Sequence, residues 1–321
     1  MAKLFPQPLP GLTTWAEPET AVYLRENCSG QTVQVGVYDP SLPGMENKMT
    51  LCGDGFVSLG VPALLWCAES DSEWVSVDEI GYLESTSPEF RDALQVVMER
   101  KRLAGVVRKQ EIPFLRELCR REDVFLVDLD APFGSIGCVI MASGLGKRFG
   151  GNKLMADFHG RPLISKILDA TEGIFSRRVV VTRHEEVAQL CKVRDIPAIL
   201  HDWPHRSDTV RLGMEAMEGV ERCMFCPGDQ PLLRTDTIAA LALASANEPG
   251  FIWRTSCDGV PGAPVVFPLW AAPELRSLPE GNGGGAVIKK YPKRLRTVNV
   301  WDKYELNDVD SPEDLVRLLE R

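Results

Sequence analysis

The chain has 321 residues, 44% hydrophobic and 25% charged, with a formal charge of −9. This describes a globular protein of about two domains and excludes a disordered chain. No apolar run approaches the ~18 residues of a membrane span, and an acidic balance argues against a nucleic-acid partner. Residues 1–135 carry 12 Lys and Arg against 21 Asp and Glu, whereas residues 136–321 carry 24 of each, which predicts a boundary near Gly134. The start MAKLFPQPLPG lacks the apolar core of a signal peptide, and nine cysteines without a framework are expected to be reduced. Both observations predict a cytoplasmic protein with no membrane partner.

In chain order, the stretch to about residue 70 alternates short apolar runs with turn signals: Asn27, Gly30, Asp39-Pro40, Pro43-Gly44 and Asp54-Gly55. It is read as several strands, with residues 32–38 the clearest. The run WVSVDEIGYLE, 74–84, is predicted as a strand ending at Asp78-Glu79. Such a pair has the form of a Walker B element, in which one carboxylate holds magnesium and its neighbour activates water. Equally, the pair could do no more than end a strand in solvent. A helix from Pro88 to about Lys101, a strand over 103–108, a helix over 113–121 and a strand over 123–130 follow. This alternation predicts an α/β layer with parallel strands.

Residues 1–135 resemble the latter two-thirds of a P-loop nucleoside-triphosphatase, whose V-D-E-I-G-x-[LM]-E run is matched by Val77 to Glu84. The G-x-x-x-x-G-K-[ST] loop has no counterpart in this stretch. It is therefore read as a degenerate P-loop NTPase-like domain, either a relic or regulatory unit or one completed by a partner chain.

Next, the apolar run Ile136 to Met141 passes into a loop with Gly144, Gly146, Gly150 and Gly151 and the cations Lys147, Arg148 and Lys153. A strand feeding a bendable cationic loop suits a polyphosphate. The loop is not a Walker A element, because Arg148 stands where a hydroxyl residue should follow Gly146-Lys147. Nor is it a dinucleotide fingerprint, since the third glycine comes one place late and no acidic residue ends a second strand about twenty positions on.

Residues 160–174 show helical spacing, 177–184 and 196–202 read as strands around a helix over 185–194, and 251–268 holds two further strand-like runs. In a doubly wound sheet of this kind ligands collect at the carboxyl ends of strands, which singles out Arg183-His184, Asp202 to Ser207 and Pro227 to Gln230. Asp229 follows the buried run CMFCPG, where a carboxylate can hold a divalent cation. Period-two alternation puts Asp308 and Asp310 on one face; Asp308 is preferred as metal-proximal, while Asp310 or Ser311 can cap the helix begun by Pro312. Ser207 either caps the following helix or meets a ligand. Cys223 and Cys226 should point to opposite faces of a strand and so pack rather than bind metal. Glycines 281, 283, 284 and 285 suggest a mobile lid bearing Lys289 and Lys290, or an ordinary solvated loop.

The glycine loop resembles the A-[AG]-G-x-[SG]-x-R-[MF]-G-x-x-K signature of nucleotidyltransferases, in particular the molybdenum cofactor cytidylyltransferases. Ala142, Ser143, Gly144, Gly146, Arg148, Phe149, Gly150 and Lys153 fall on it, with Ser143 departing from the usual Ala or Gly. The likeness continues through GRPLI (160–164), PGDQPLL (227–233), GVPGAPVVF (259–267) and NDVDSPEDL (307–315). It implies a Rossmann-like, doubly wound, mostly parallel α/β sheet of the nucleotide-diphospho-sugar transferase type over residues 136–321. It also implies transfer of CMP from CTP to the phosphate of a molybdopterin-type acceptor with Mg2+, and service to a molybdenum hydroxylase. Arg148, Lys153 and Asp229 would be catalytic. Ala142, Ser143, Gly144, Leu145, Gly146, Lys147, Ser207 and Arg211 would bind nucleotide, and Asp229 with Asp308 would hold the metal. Alternatives are a GTP-using guanylyltransferase, a sugar-phosphate nucleotidyltransferase, and a non-catalytic cofactor-binding chaperone.

Overall fold

A computed structural model describes residues 9–42 and 48–321. The chain forms two compact units, one ending at Val124 and one beginning at Phe125. The predicted Pro43-Gly44 turn lies outside the described residues.

The first unit has strands β1 (Gly11–Glu17), β2 (Ala21–Glu26), β3 (Thr32–Tyr38), β4 (Met49–Leu51), β5 (Trp74–Ile80) and β6 (Arg102–Val107). Its helices are α1 (Val61–Glu69), α2 (Tyr82–Ser85), α3 (Pro88–Arg100) and α4 (Pro113–Cys119). The sheet order is β4-β3-β2-β1-β5-β6. It is mixed rather than parallel: β1 to β4 form an antiparallel meander, and only β1, β5 and β6 run together. Residues 56–69, expected to be part of the strand region, are helical instead. Phe56, Gly60, Leu64 and Cys67 recur at three- and four-residue spacing and are buried, and Phe56 meets Phe90 of α3 edge-on at 5.1 Å. The β5 strand does not end at Asp78-Glu79 but runs to Ile80, with its pairing to β6 shifted across those two residues.

The second unit contains β7 (Ile136–Ala142), β8 (Arg177–Thr182), β9 (Ala198–Leu200), β10 (Arg222–Pro227), β11 (Ile252–Cys257), β12 (Val260–Pro268) and β13 (Leu295–Asn299). Its helices are α5 (Ser165–Ala170), α6 (Glu185–Val193), α7 (Arg206–Ala216), α8 (Thr235–Asn247), α9 (Ala272–Arg276), α10 (Gly285–Lys290) and α11 (Pro312–Leu319). Sheet order is β13-β11-β12-β10-β7-β8-β9, parallel from β10 to β9, with β12 the antiparallel member. This is the expected doubly wound, mostly parallel sheet, with β10 at its middle and β7 beside it. Buried apolar side chains cover both faces: Cys226 belongs to one core and Cys223 to the other, as alternation requires.

Two expectations fail here. The run 123–130 is not a strand; Phe125 and Leu129 are 59% and 76% exposed, so its apolar residues have no core to face. The helix expected over 160–174 shrinks to Ser165–Ala170, because Asp157 and Pro162 form a bridge before it and Gly173 turns the chain at φ +74° after it. Among the described residues no helix is long and apolar enough to cross a membrane.

Candidate active site

Because β7 and β10 are parallel neighbours, with Ile140 beside Cys226 and Met141 beside Pro227, both deliver their following loops to one edge. The Gly228 N–H donates to Met141 O at 3.0 Å, tying the two exits together. This is the carboxyl edge, where doubly wound sheets collect ligands.

The glycine loop is shaped by its own backbone. Gly146 has φ +58°, and a Cβ there would stand 2.1 Å from Gly151 O, so only glycine fits. The N–H groups of Phe149 and Gly150 both donate to Gly146 O at 3.0 Å. Ala142 is buried, with its carbonyl accepting from the Thr182 hydroxyl at 3.0 Å, and the Ser143 hydroxyl donates to Val181 O at 3.1 Å and meets His201 Nε2 at 2.8 Å. His184 Nε2 lies 2.8 Å from Gly144 O. Gly144, Leu145, Lys147 and Arg148 are left exposed along the loop. Burial, with Arg183 adding to it, holds the His201 imidazole below its usual value.

Lys153 is only 6% exposed, yet it is fully engaged: Nζ lies 2.7 Å from Asp229 Oδ2 and 2.8 Å from Asp310 Oδ1. Burial alone would depress its ammonium, but Asp229 and Asp310 outweigh that and raise it, so the charge is held. Asp310 also receives Arg148 Nη2 at 2.5 Å. These cations, Lys153 first, hold the Asp310 carboxyl below its usual value.

Asp308 joins the same group through Gln230, whose Nε2 donates to Asp308 Oδ1 at 2.9 Å and to Leu306 O at 3.0 Å. Burial, then the charge of Asp229, pushes the Asp308 carboxyl up. The Val309 N–H donates to Asp229 O at 2.9 Å, fastening the last segment onto the β10 exit. Alternation does bring Asp308 and Asp310 to one side. Ser311, not Asp310, caps α11: its hydroxyl accepts the Asp314 N–H at 3.3 Å, and Asp314 accepts the Ser311 N–H at 3.0 Å.

The capping reading of Ser207 is overturned. The residue preceding α7 is His205, whose N–H donates to Asp208 at 3.0 Å, and Ser207 is buried in the first turn. Arg211 is held by Asp208 at 2.9 Å and lies 4.8 Å from the Trp203 ring. Neither is hydrogen-bonded to the glycine loop. Lys290 is engaged by Glu274 at 2.5 Å, at the end of a short helix that begins at Gly285. Sequence reading passed over His201, and it gave no role to Gln230 or Arg206, which lie inside the strand-exit stretches it singled out. Arg206 lines a small cavity with Met141, Phe225, Phe267 and Gly284 beside the β7 and β10 exits.

Three carboxylates facing one buried lysine and one exposed arginine form a site with surplus negative charge. Among the described residues, no group of three or more His, Cys, Asp or Glu side chains is arranged to enclose a metal. A hard cation that takes one or two carboxylates and completes its shell with phosphate oxygens and water needs no such enclosure.

Residues 138–296 match the sequence profile of the MobA-like NTP transferase domain. That match lies wholly within the second unit. Residues 20–132 match the profile of an NTPase. The chain is similar to a probable molybdenum cofactor guanylyltransferase of Aquifex aeolicus, 24% identical over 37% of this chain and 57% of the relative. It is similar also to the bifunctional protein GlmU of Paracidovorax citrulli, 31% over 35% and 26%. A third relative is the 3-deoxy-manno-octulosonate cytidylyltransferase of Acinetobacter baumannii, 25% over 38% and 50%. The chain thus spans between 26% and 57% of the length of these relatives. In fold, it is similar to Rv0371c of Mycobacterium tuberculosis, with TM-score 0.52 and 19% identity over 58% of this chain and 99% of that one. A nucleotidyl transferase of Methanothermobacter thermautotroptrophicus gives 0.50 and 20% over 58% and 96%.

Proposed function

We propose that the second unit is a nucleotidyltransferase that moves CMP from CTP to the phosphate of a molybdopterin-type acceptor. The observation that carries the transferase reading is Lys153, buried, charged and clasped by Asp229 and Asp310 at the joint exit of β7 and β10. An acceptor phosphate oxygen attacks the α-phosphorus, the bond from that phosphorus to the β-phosphate oxygen breaks, and pyrophosphate leaves. An acceptor already ionised at neutral pH needs no general base.

The chain's work is then alignment and charge neutralisation. Backbone N–H groups of the 144–146 loop and the exposed cations Lys147 and Arg148 receive the β- and γ-phosphates, and Arg148 exchanges Asp310 for phosphate oxygens. Lys153 meets the charge that develops at the α-phosphate. Asp229 and Asp308, the latter oriented by Gln230, would hold Mg2+, which when bound supplies neutralisation of the triphosphate. Ser143, fixed by His201 and Val181 O, lies at the foot of the loop. The acceptor enters over the cavity lined by Arg206, Phe225 and Phe267, whose one guanidinium suits its phosphate.

The guanylyltransferase relative favours a second reading in which GTP is the donor. Pyrophosphate release from CTP, GTP and ATP, each with and without molybdopterin, separates the two. Release that needs the pterin and prefers CTP is expected. Preference for GTP moves the reading to a guanylyltransferase, and no release with any pair defeats it. The first unit is proposed to be regulatory.

A further inference from the structure

Arg254 lies on β11, which is separated from β10 by β12 alone. The register sets Phe225 of β10 opposite Val265 of β12, and Val265 opposite Arg254. Directly paired residues share a face of the sheet, so these three side chains form one row across it. Phe225 and Val265 line the small cavity that also holds Arg206 and Pro227. The row therefore leads from the β10 exit, where Asp229 follows, to a guanidinium two strand spacings away, about 10 Å.

Arg254 is partly buried and has no carboxylate partner among the described residues. Its Nε and Nη2 both donate to Gly262 O, at 3.0 and 2.6 Å, which points the guanidinium toward the edge that carries the site and leaves Nη1 unused. Burial lowers its basicity, and no neighbouring acid opposes the shift. Arg206 is likewise without an ion pair or hydrogen bond among the described residues; it packs on Gly283, where a Cβ would stand 3.0 Å from its Nε. Arg211, one turn further along α7, is by contrast held by Asp208. A half-buried guanidinium with no counter-ion carries a desolvation cost that nothing in this fold offsets, and its planar fork suits a carboxylate or phosphate.

We infer that the acceptor carries two anionic groups: the reacting phosphate, met by Arg206 beside the β10 exit, and a second oxyanion at its far end, met by Arg254. On the transferase reading, from which this follows, the acceptors narrow to molecules whose two charges stand about 10 Å apart. A sugar phosphate charged at one end only leaves Arg254 unused.

The test is calorimetric titration of the full chain with hexane-1,6-diol bisphosphate and with hexyl phosphate, without nucleotide or metal, so that turnover plays no part. The bisphosphate is expected to bind at least tenfold more tightly. Arg254→Gln should remove that preference and leave the affinity for hexyl phosphate unchanged, whereas Arg206→Gln should weaken both ligands. Thr297 of β13 is exposed and stands opposite Arg254 in the register, so Thr297→Glu sets a carboxylate beside the guanidinium and should also remove the preference. Thermal melts confirm that each variant is folded, and Thr297→Glu decides the matter should Arg254→Gln fail to fold. Lys147→Gln in the glycine loop should leave the preference intact. No binding of the bisphosphate, equal affinity for the two ligands, a preference that survives in a folded Arg254→Gln or Thr297→Glu chain, or one abolished by Lys147→Gln overturns the proposal. Pyrophosphate release that depends on molybdopterin, with a KM for it unchanged by Arg254→Gln, overturns it while the transferase reading stands; no release with any acceptor defeats both.

Discussion

Lys153 Nζ lies 2.7 Å from Asp229 Oδ2, across the exits of two parallel strands and almost out of contact with water. Breaking such a pair leaves a carboxylate uncompensated, at a cost of about 3–5 kcal/mol. Lys153→Met is expected to lower unfolding stability on that scale and to slow pyrophosphate release by about 10²–10³-fold, the usual effect of losing one charge-stabilising group. Urea unfolding and single-turnover kinetics check the two effects separately. An unchanged rate in a folded variant removes Lys153 from the chemistry.

Asp308 should separate stability from activity. Its folded carboxyl is raised by burial and by Asp229, so the fold favours the protonated form. Stability is therefore lost as pH rises from the ordinary carboxylate value of 3.8 through the folded one. Asp308→Asn relieves that penalty at neutral pH, with a Tm gain of about 2–4 °C per ~1 kcal/mol relieved. Transfer should fall at the same time, and added Mg2+ should raise the melting temperature less than in the unaltered chain. A variant that is neither more stable nor slower contradicts the assignment.

Asp310 has the opposite sign. Lys153 and Arg148 hold its carboxyl low, so its stabilisation is complete above 3.8 and is lost as pH falls through the folded value. Acid unfolding followed by circular dichroism should show a shallower pH dependence in Asp310→Asn. The same change frees Arg148, and the KM for nucleotide is expected to fall rather than rise.

Gly146→Ala tests the loop. The added Cβ would meet Gly151 O at 2.1 Å on a backbone with φ +58°, so the loop must open. A stability loss above the ~1 kcal/mol typical of an incompatible Gly→Ala change is expected, with at least a tenfold rise in nucleotide KM. Gly144→Ala, where a Cβ meets nothing within 4 Å, is the control and should be far milder.

Much of this was legible in the residues alone. Periodicity located β3, β5, β7, β8, β10 and α3 closely, since buried alternation and helical spacing are local properties of the chain. The glycine loop, Lys153, Asp229 and the 308–310 pair could be picked out because glycine, cations and carboxylates at strand exits have few other uses. Residues 56–69 were misread, as a short apolar run is equally compatible with strand and helix until Phe90 supplies a face to pack on. The strand expected over 123–130 lacked the neighbour that a ladder needs. Which carboxylate faces Lys153, that Ser311 and not Asp310 caps α11, that Gln230 orients Asp308, and that Arg254 shares a row with Phe225 and Val265 were decided only in three dimensions. Each of these is a contact between segments far apart in sequence, and composition and spacing carry no record of the distance between strands that the sheet brings side by side.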